Sequence, residues 1–245
     1  MALATLVRNM GKDFKSIFRL YYPYIEFSIK SFSNNSLSKS GLLSLLQCIT
    51  NTEDTIDKIE DMIKILIEVC TSNEVARANK IIAINIIGEL VLMTGIYFNP
   101  YLEMVMKLLF SAAQMGINIP ADADEDIIEF VKNLRYELIQ TFTCFELTFN
   151  EPTNKKFLTP FIQDMFAFIK SCVDDTIIQT IEILKSILNL IIDLFGTYGA
   201  DFKQLCNENF VDNFIKLIQE YNKKNKSDPD IEQNVDILKS YFKKN

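Results

Sequence analysis

Apolar residues recur along this chain at helical spacing. In residues 55–71, Ile56, Ile59, Ile63, Leu66 and Cys70 fall on one stripe, while Asp57, Glu60, Asp61, Lys64 and Glu68 fall on the other. Intervals of three and four residues place side chains on one face of a helix. The same periodicity predicts helices over 2–9, 13–32, 39–50, 55–71, 75–94, 98–115, 124–148, 158–173, 176–196, 202–222 and 230–243. The polar runs SFSNNSLSKS, NTEDT, GINIPADADED, NEPTNKK and KKNKSDPD read as connections between them. Asn51 or Thr52 is placed to open a cap for the helix over 55–71. Pro100 is tolerated in a first helical turn.

The helices come in pairs of unlike character. The first of a pair is apolar on most sides, as in Ile81, Ile82, Ile84, Ile86, Ile87, Leu90 and Val91. The second is amphipathic. One pair cannot cover the first helix, but side-by-side stacking can, which predicts a quasi-linear array. A repeated signature marks the junctions: a Gly followed three residues later by a Phe, at Gly11 and Phe14, Gly95 and Phe98, and Gly199 and Phe202. Equivalent positions Phe14, Ile56, Phe98, Phe157 and Phe202 are separated by 42, 42, 59 and 45 residues. HEAT and armadillo repeats run about 40–47 residues, against about 34 for tetratricopeptide and about 33 for ankyrin repeats. The longer interval of 59 holds an acidic loop and a longer helix. The expected fold is therefore all-α: an α-solenoid of HEAT-type antiparallel helix pairs. With no shift of composition to mark a boundary, residues 1–245 read as one array of about five to six pairs.

Composition agrees with a helical reading. The 245 residues are 49% hydrophobic, ample for a large core, and contain only 7 Gly and 6 Pro. The net charge of -7 gives no basic footprint for nucleic acid and favours a basic partner. The lysines near the C-terminus (Lys223, Lys224, Lys226, Lys239, Lys243, Lys244) read as a solvated end. Five cysteines without a CxxC motif read as buried thiols of a reducing compartment. The opening residues MALATLVRNM read as an amphipathic helix rather than a signal peptide. Two apolar runs, 81–98 and 177–195, carry charges (Glu89; Glu182, Lys185, Asp193) that disfavour insertion into a membrane.

Catalytic chemistry finds little support. The chain has no His, which removes His-based triads and His metal sites, and it lacks phosphate-binding glycine motifs. The cluster Asp122, Asp124, Glu125 and Asp126 resembles a calcium loop in composition but lacks its spacing. No cofactor or metal is expected, and an enzyme is the weakest of the readings. The polar stripe of the second helices is the more suggestive feature. It is mainly acidic, with Glu26, Glu103, Asp164, Glu208, Asp212 and Glu220 adding to the residues of 55–71. On charge alone, an ordinary solvated helix face is the better reading of such a stripe.

Order and spacing of motifs then identify a resemblance. INIIGELVLMTGIYFNPYLEMVMKLLFSAAQ, an acidic loop and IIEFVKNLRYELIQTFTCF are similar to the C-terminal part of importin subunit beta, the karyopherin-beta family of nuclear import receptors. The matching positions are Gly88-Glu89, Gly95, Phe98, Tyr101-Leu102-Glu103, Leu134-Arg135, Leu138, Phe142 and Thr143. LATLVRNMGKDFKSIFRLYYPYI and ILNLIIDLFGTYGADF extend the similarity upstream and downstream. The family's Trp near the C-terminus is missing, with Val235 near its place.

The resemblance implies a C-terminal fragment of a longer HEAT-repeat receptor that shuttles between cytoplasm and nucleus. It implies second helices that wrap the basic N-terminal helix of importin alpha. Ran GTPase and FG-repeat nucleoporins are implied partners of the full-length receptor. Nucleic acid binding and membrane insertion are not implied. Glu60, Asp61, Glu68 and Glu103 occupy positions where the family also carries acids, and Asp57, Asp164, Glu208 and Asp212 complete the candidate partner-binding set. The alternative is a HEAT scaffold subunit of another complex.

Overall fold

The computed structural model describes residues 2–51, 56–115, 123–225 and 228–242. Among the described residues there are thirteen α-helices and no strand. They divide into two compact units, residues 1–109 and 110–245.

The first unit contains α1 (Ala2–Met10), α2 (Lys15–Lys30), α3 (Asn35–Asn51), α4 (Ile59–Thr71), α5 (Arg77–Thr94) and most of α6 (Leu102–Ala113). α3 packs against α1, α2 and α5, while α5 also packs against α4, so α1, α3 and α5 form one row. α2 and α4 lie beside each other in a second row. α2 turns Phe18, Tyr22, Ile25 and Ile29 into the core at intervals of three and four residues. Its crossing with α3 is close because position 41 is Gly. A Cβ there would lie 2.7 Å from the Ile29 backbone nitrogen.

The second unit continues with α7 (Glu125–Phe149), α8 (Lys155–Leu158), α9 (Ile162–Asp174), α10 (Ile181–Tyr198), α11 (Ala200–Leu205), α12 (Glu208–Lys224) and α13 (Pro229–Ser240). α10 packs against both α7 and α13, and these three form its first row. α9 and α12 are neighbours in the second row: the Phe166 and Phe210 rings meet with centroids 5.1 Å apart. One charged side chain is built into the core. Arg135 of α7 is 2% exposed. It donates to the Ser171 carbonyl at 3.3 Å and pairs with Asp175 at 3.3 Å, binding α7 to the C-terminal end of α9.

The Gly-x-x-Phe signature has a clear physical basis at two of its three sites. Gly95 ends α5 with φ 56° and Gly199 ends α10 with φ 51°, in the left-handed region that favours glycine. The chain reverses there, and Phe98 and Phe202 drop fully buried into the core. Phe14 is also fully buried, after a 3-10 turn over Gly11–Phe14. Near Phe157 the buried position is instead Leu158, and Phe157 is half-buried against Phe149.

Helix placement differs from the sequence expectation in several places. The helix expected over 98–115 opens as a 3-10 helix over Gly95–Tyr101 that holds Pro100, and α6 proper starts at Leu102. The helix expected over 158–173 is broken into α8, a 3-10 turn over Thr159–Phe161 and α9. At three further ends the cause is a side-chain cap or a break. α3 begins at Asn35 rather than 39, because Asn34 Oδ1 accepts from the Leu37 amide at 3.0 Å. α10 begins at Ile181 rather than 176, where the Thr180 hydroxyl accepts from the Ile183 amide at 3.3 Å. The helix expected over 202–222 is broken into α11 and α12, with Asn207 Oδ1 accepting from the Phe210 amide at 3.0 Å. Asn51 is the last residue of α3, and Thr52 lies outside the described residues. The run Arg77–Ala113 is apolar enough to cross a membrane by length and composition, and half of its apolar window is buried within the protein.

Candidate functional site

In the first unit, α4 buries Ile59, Met62, Ile63, Ile65, Leu66, Val69 and Cys70. Its helical period then leaves Glu60, Asp61, Lys64 and Glu68 exposed on the opposite stripe. Asp57, in the 3-10 turn that leads into α4, is exposed and accepts from Arg19 of α2. Glu103 is exposed in the first turn of α6. The structure thus groups Glu60, Asp61 and Glu68 on α4, with Asp57 in the turn that precedes it.

These acids carry their own cations. Lys58 pairs with Asp61 at 2.9 Å, Lys64 with Glu60 at 2.5 Å, Lys107 with Glu103 at 2.6 Å and Lys30 with Glu26 at 2.7 Å. Lys58 Nζ also stands 5.7 Å from the centroid of the Tyr22 ring. The hydrogen bond that Lys30 donates to Glu26 raises the Lys30 pKa, and Glu68 and Asp61 add to it across the α2–α4 seam. Lys107 lowers the Glu103 pKa by the same kind of contact. Glu68 has no ion pair within 4.0 Å among the described residues. The stripe read from sequence as mainly negative is, on α2 and α4, an alternation of signs. Three of the four lysine pairs sit at i,i+4 spacing and were legible from it. The Arg19–Asp57 contact spans 38 residues and left no signal in the sequence.

α2 adds a feature that sequence reading missed. Leu20, Tyr24 and Phe27 are 69%, 71% and 70% exposed, in a row opposite the helix's core stripe. Their i, i+4 and i+7 spacing was the available signal.

In the second unit, Asp164 is exposed in the first turn of α9. Glu208 and Asp212 are exposed one turn apart at the start of α12. A cleft of about 400 Å³ opens between the last turn of α6 and α9, bordered by Asp164. A second, of about 320 Å³, lies between α7 and α10 beside Tyr136 and Glu182.

The remaining titratable groups are structural. Burial pushes the Cys48, Cys70 and Cys206 thiols up to about 12 and Cys172 up to about 11, which leaves them protonated and inert at neutral pH. Glu146 is 1% exposed and accepts from Thr197 of α10; desolvation raises its pKa, and Asp193 adds to the rise. Asp124, Glu125 and Asp126 sit at the start of α7, where carboxylates complement the helix dipole, and Asp122 lies outside the described residues. Among the described residues no group of three or more Cys, Asp or Glu could hold a metal ion.

Paired helices, set in a first row and a second row within each unit, define an α-solenoid of helical-hairpin repeats. The sequence family described as importin subunit beta-1-like, TPR repeats, matches residues 1–219, and the chain belongs to it. The repeat interval of 42 residues exceeds that of tetratricopeptide units, about 34 residues, and keeps the HEAT length. Importin subunit beta-1 of Arabidopsis thaliana is 22% identical over 201 residues, covering 82% of this chain and 23% of the relative. The Schizosaccharomyces pombe protein is 19% identical over 204 residues, with the same coverage. Kap95p solved with RanGDP superposes with TM-score 0.85 at 16% identity, over 98% of this chain and 27% of that one. Kap95 in complex with Nup1 gives TM-score 0.83 at 15% identity, with the same coverage. The chain spans about a quarter of the length of these relatives.

Proposed function

We propose that this chain is a C-terminal, cargo-facing segment of a karyopherin-beta nuclear import receptor, and not an enzyme. Its second-helix face takes a basic helix, of which the N-terminal helix of importin alpha is the type. The observation that carries this reading is the grouping of Glu60, Asp61 and Glu68 on the exposed side of α4, with Asp57 in the turn that leads into it, in a chain of this family. Glu103, Asp164, Glu208 and Asp212 extend the acidic set along the other second helices. Residues 1–245 act as one continuous array of pairs in this reading. The complete receptor works in cytoplasm and nucleus with Ran and FG-repeat nucleoporins. Kap95p, solved with RanGDP and with Nup1, supports those two partners by analogy.

The mechanism is electrostatic complementarity. A cationic helix competes with Arg19, Lys58, Lys64 and Lys107 for acids already solvated on one side. Exposed pairs are worth roughly 0–1 kcal/mol each, so exchange is easy and affinity accumulates over many contacts. Anisotropy titration with the basic helix of importin alpha tests this. Binding is expected at low salt and weakens steeply as salt rises. Combined Glu60→Lys, Asp61→Lys and Glu68→Lys should abolish it. Binding indifferent to salt and to the triple reversal would refute the proposal.

A further inference from the structure

We infer that the cleft between α6 and α9 is a socket for one large apolar side chain projecting from a basic helix. This rests on the reading of the second-helix face above and specifies what that helix must carry besides charge.

The floor of the cleft is aromatic and fixed. Phe110 and Phe168 line it; Phe142 stands behind both, with centroids 5.5 Å and 5.6 Å away, and Phe161, outside the lining, supports Phe110 at 6.4 Å. Phe142 is fully buried and Phe168 is 5% exposed, so both are held by the core. The rim is polar: Ser111 from α6, Gln114 in the turn that follows it, and Asp164 from α9. Among the described residues no Lys or Arg lines the cleft. Asp164 has no ion pair within 4.0 Å among the described residues. The acids of α4 and α6 mostly have cations beside them, and this one does not. A socket floored by rings and rimmed by a lone carboxylate fits an amphipathic occupant. A Phe or Leu at one helical position would enter, and a Lys or Arg one turn away would meet Asp164.

The cleft measures about 400 Å³, enough for one side chain rather than a folded surface. The sequence places it at the long interval of the repeat, 59 residues from Phe98 to Phe157 against 42 in the preceding pairs. α6 and α9 are the second helices on either side of that interval.

The test uses the full chain and a labelled helical peptide of about 20 residues built from Ala, Lys and Arg. One version carries a central Phe, a second Ala there, and a third keeps Phe but replaces the cations with Gln. At low salt the Phe peptide should bind roughly tenfold tighter than the Ala peptide, as burying one large side chain predicts. Ala167→Trp and, independently from the other wall, Ser111→Trp fill the cleft from exposed positions. Each should erase the Phe preference while leaving the Ala peptide unchanged. Equal affinity for Phe and Ala peptides, or a preference that survives both fillings, overturns the socket and leaves the acidic face standing. A Gln peptide that binds as well as the cationic one overturns the basic occupant. Failure of both cationic peptides to bind removes the acidic-face reading and the socket with it.

Discussion

Gly41, Gly95 and Gly199 are three glycines with two different reasons to be glycine. At Gly95 and Gly199 the backbone is left-handed, φ 56° and 51°, and nothing stands within 4 Å of a would-be Cβ. Alanine there should cost about 1–2 kcal/mol through backbone strain alone. At Gly41 the obstacle is Ile29 backbone at 2.7 Å, so Gly41→Ala must part α2 from α3. Urea unfolding should rank Gly41→Ala as the most damaging of the three. Glu146 supplies a second prediction, in pH. Its raised pKa, from burial, means that ionisation is penalised in the folded state. Stability should therefore increase as pH falls through the folded pKa, until the ordinary carboxyl value near about 4.3 is reached. Asp193, raised by its own burial, acts in the same direction. Glu146→Gln keeps an oxygen for the Thr197 hydroxyl and removes the buried charge. Its urea midpoint at neutral pH should exceed that of the parent and should change less between about pH 7 and about pH 5. The glycine signature was readable because the chain repeats it. The place of Glu146 inside the core was not, since on a helix wheel one carboxylate looks like another.

Helices were legible because they repeat a period, and their ends were less so. An apolar stripe survives several turns, whereas a start depends on one side chain reaching one amide. Asn34, Thr180 and Asn207 each do so from within polar stretches that offer several candidates, so α3, α10 and α12 begin where the caps are. Contacts between helices leave even less trace. Arg135 lies in the core stripe of α7, yet its partners Ser171 and Asp175 are about a repeat further along the chain. Removing such a buried cation strands Asp175, which is 20% exposed, and a carbonyl of α9. Arg135→Ala should destabilise the protein by roughly 3–5 kcal/mol, because it leaves a cavity as well as unpaired acceptors. Arg135→Met fills most of the volume, and replacing a buried ion pair's cation by a packed apolar chain costs less. Asp175→Asn combined with Arg135→Met should recover part of the loss, read as a shift in thermal midpoint against either single variant. If Arg135→Met proves as damaging as Arg135→Ala, the charge rather than the volume holds α7 to α9.

For the molecule as a whole, the question is whether the acidic stripe is a binding face or merely wet. Repeat length, the acidic balance and the i,i+4 lysine counter-charges were visible in sequence; the Arg19–Asp57 contact between elements was not, and neither was the division into two compact units at residue 109. Those counter-charges make the two readings separable. On a merely solvated face, Lys64 and Lys107 are solubilising partners of Glu60 and Glu103, and neutralising them changes little. On a face meant for a basic helix they are competitors of the ligand. Lys64→Gln with Lys107→Gln should then leave the urea midpoint nearly unmoved, since exposed pairs contribute roughly 0–1 kcal/mol. The same double variant should bind a basic peptide several-fold more tightly, because two acids no longer share their field. Its affinity should also fall more steeply with salt, as about two more ligand charges meet uncompensated carboxylates. Reversal is the informative contrast: Glu60→Gln with Glu103→Gln leaves the lysines in place and should weaken the peptide. A face that responds to neither exchange is solvent-facing only, whatever its sequence promises.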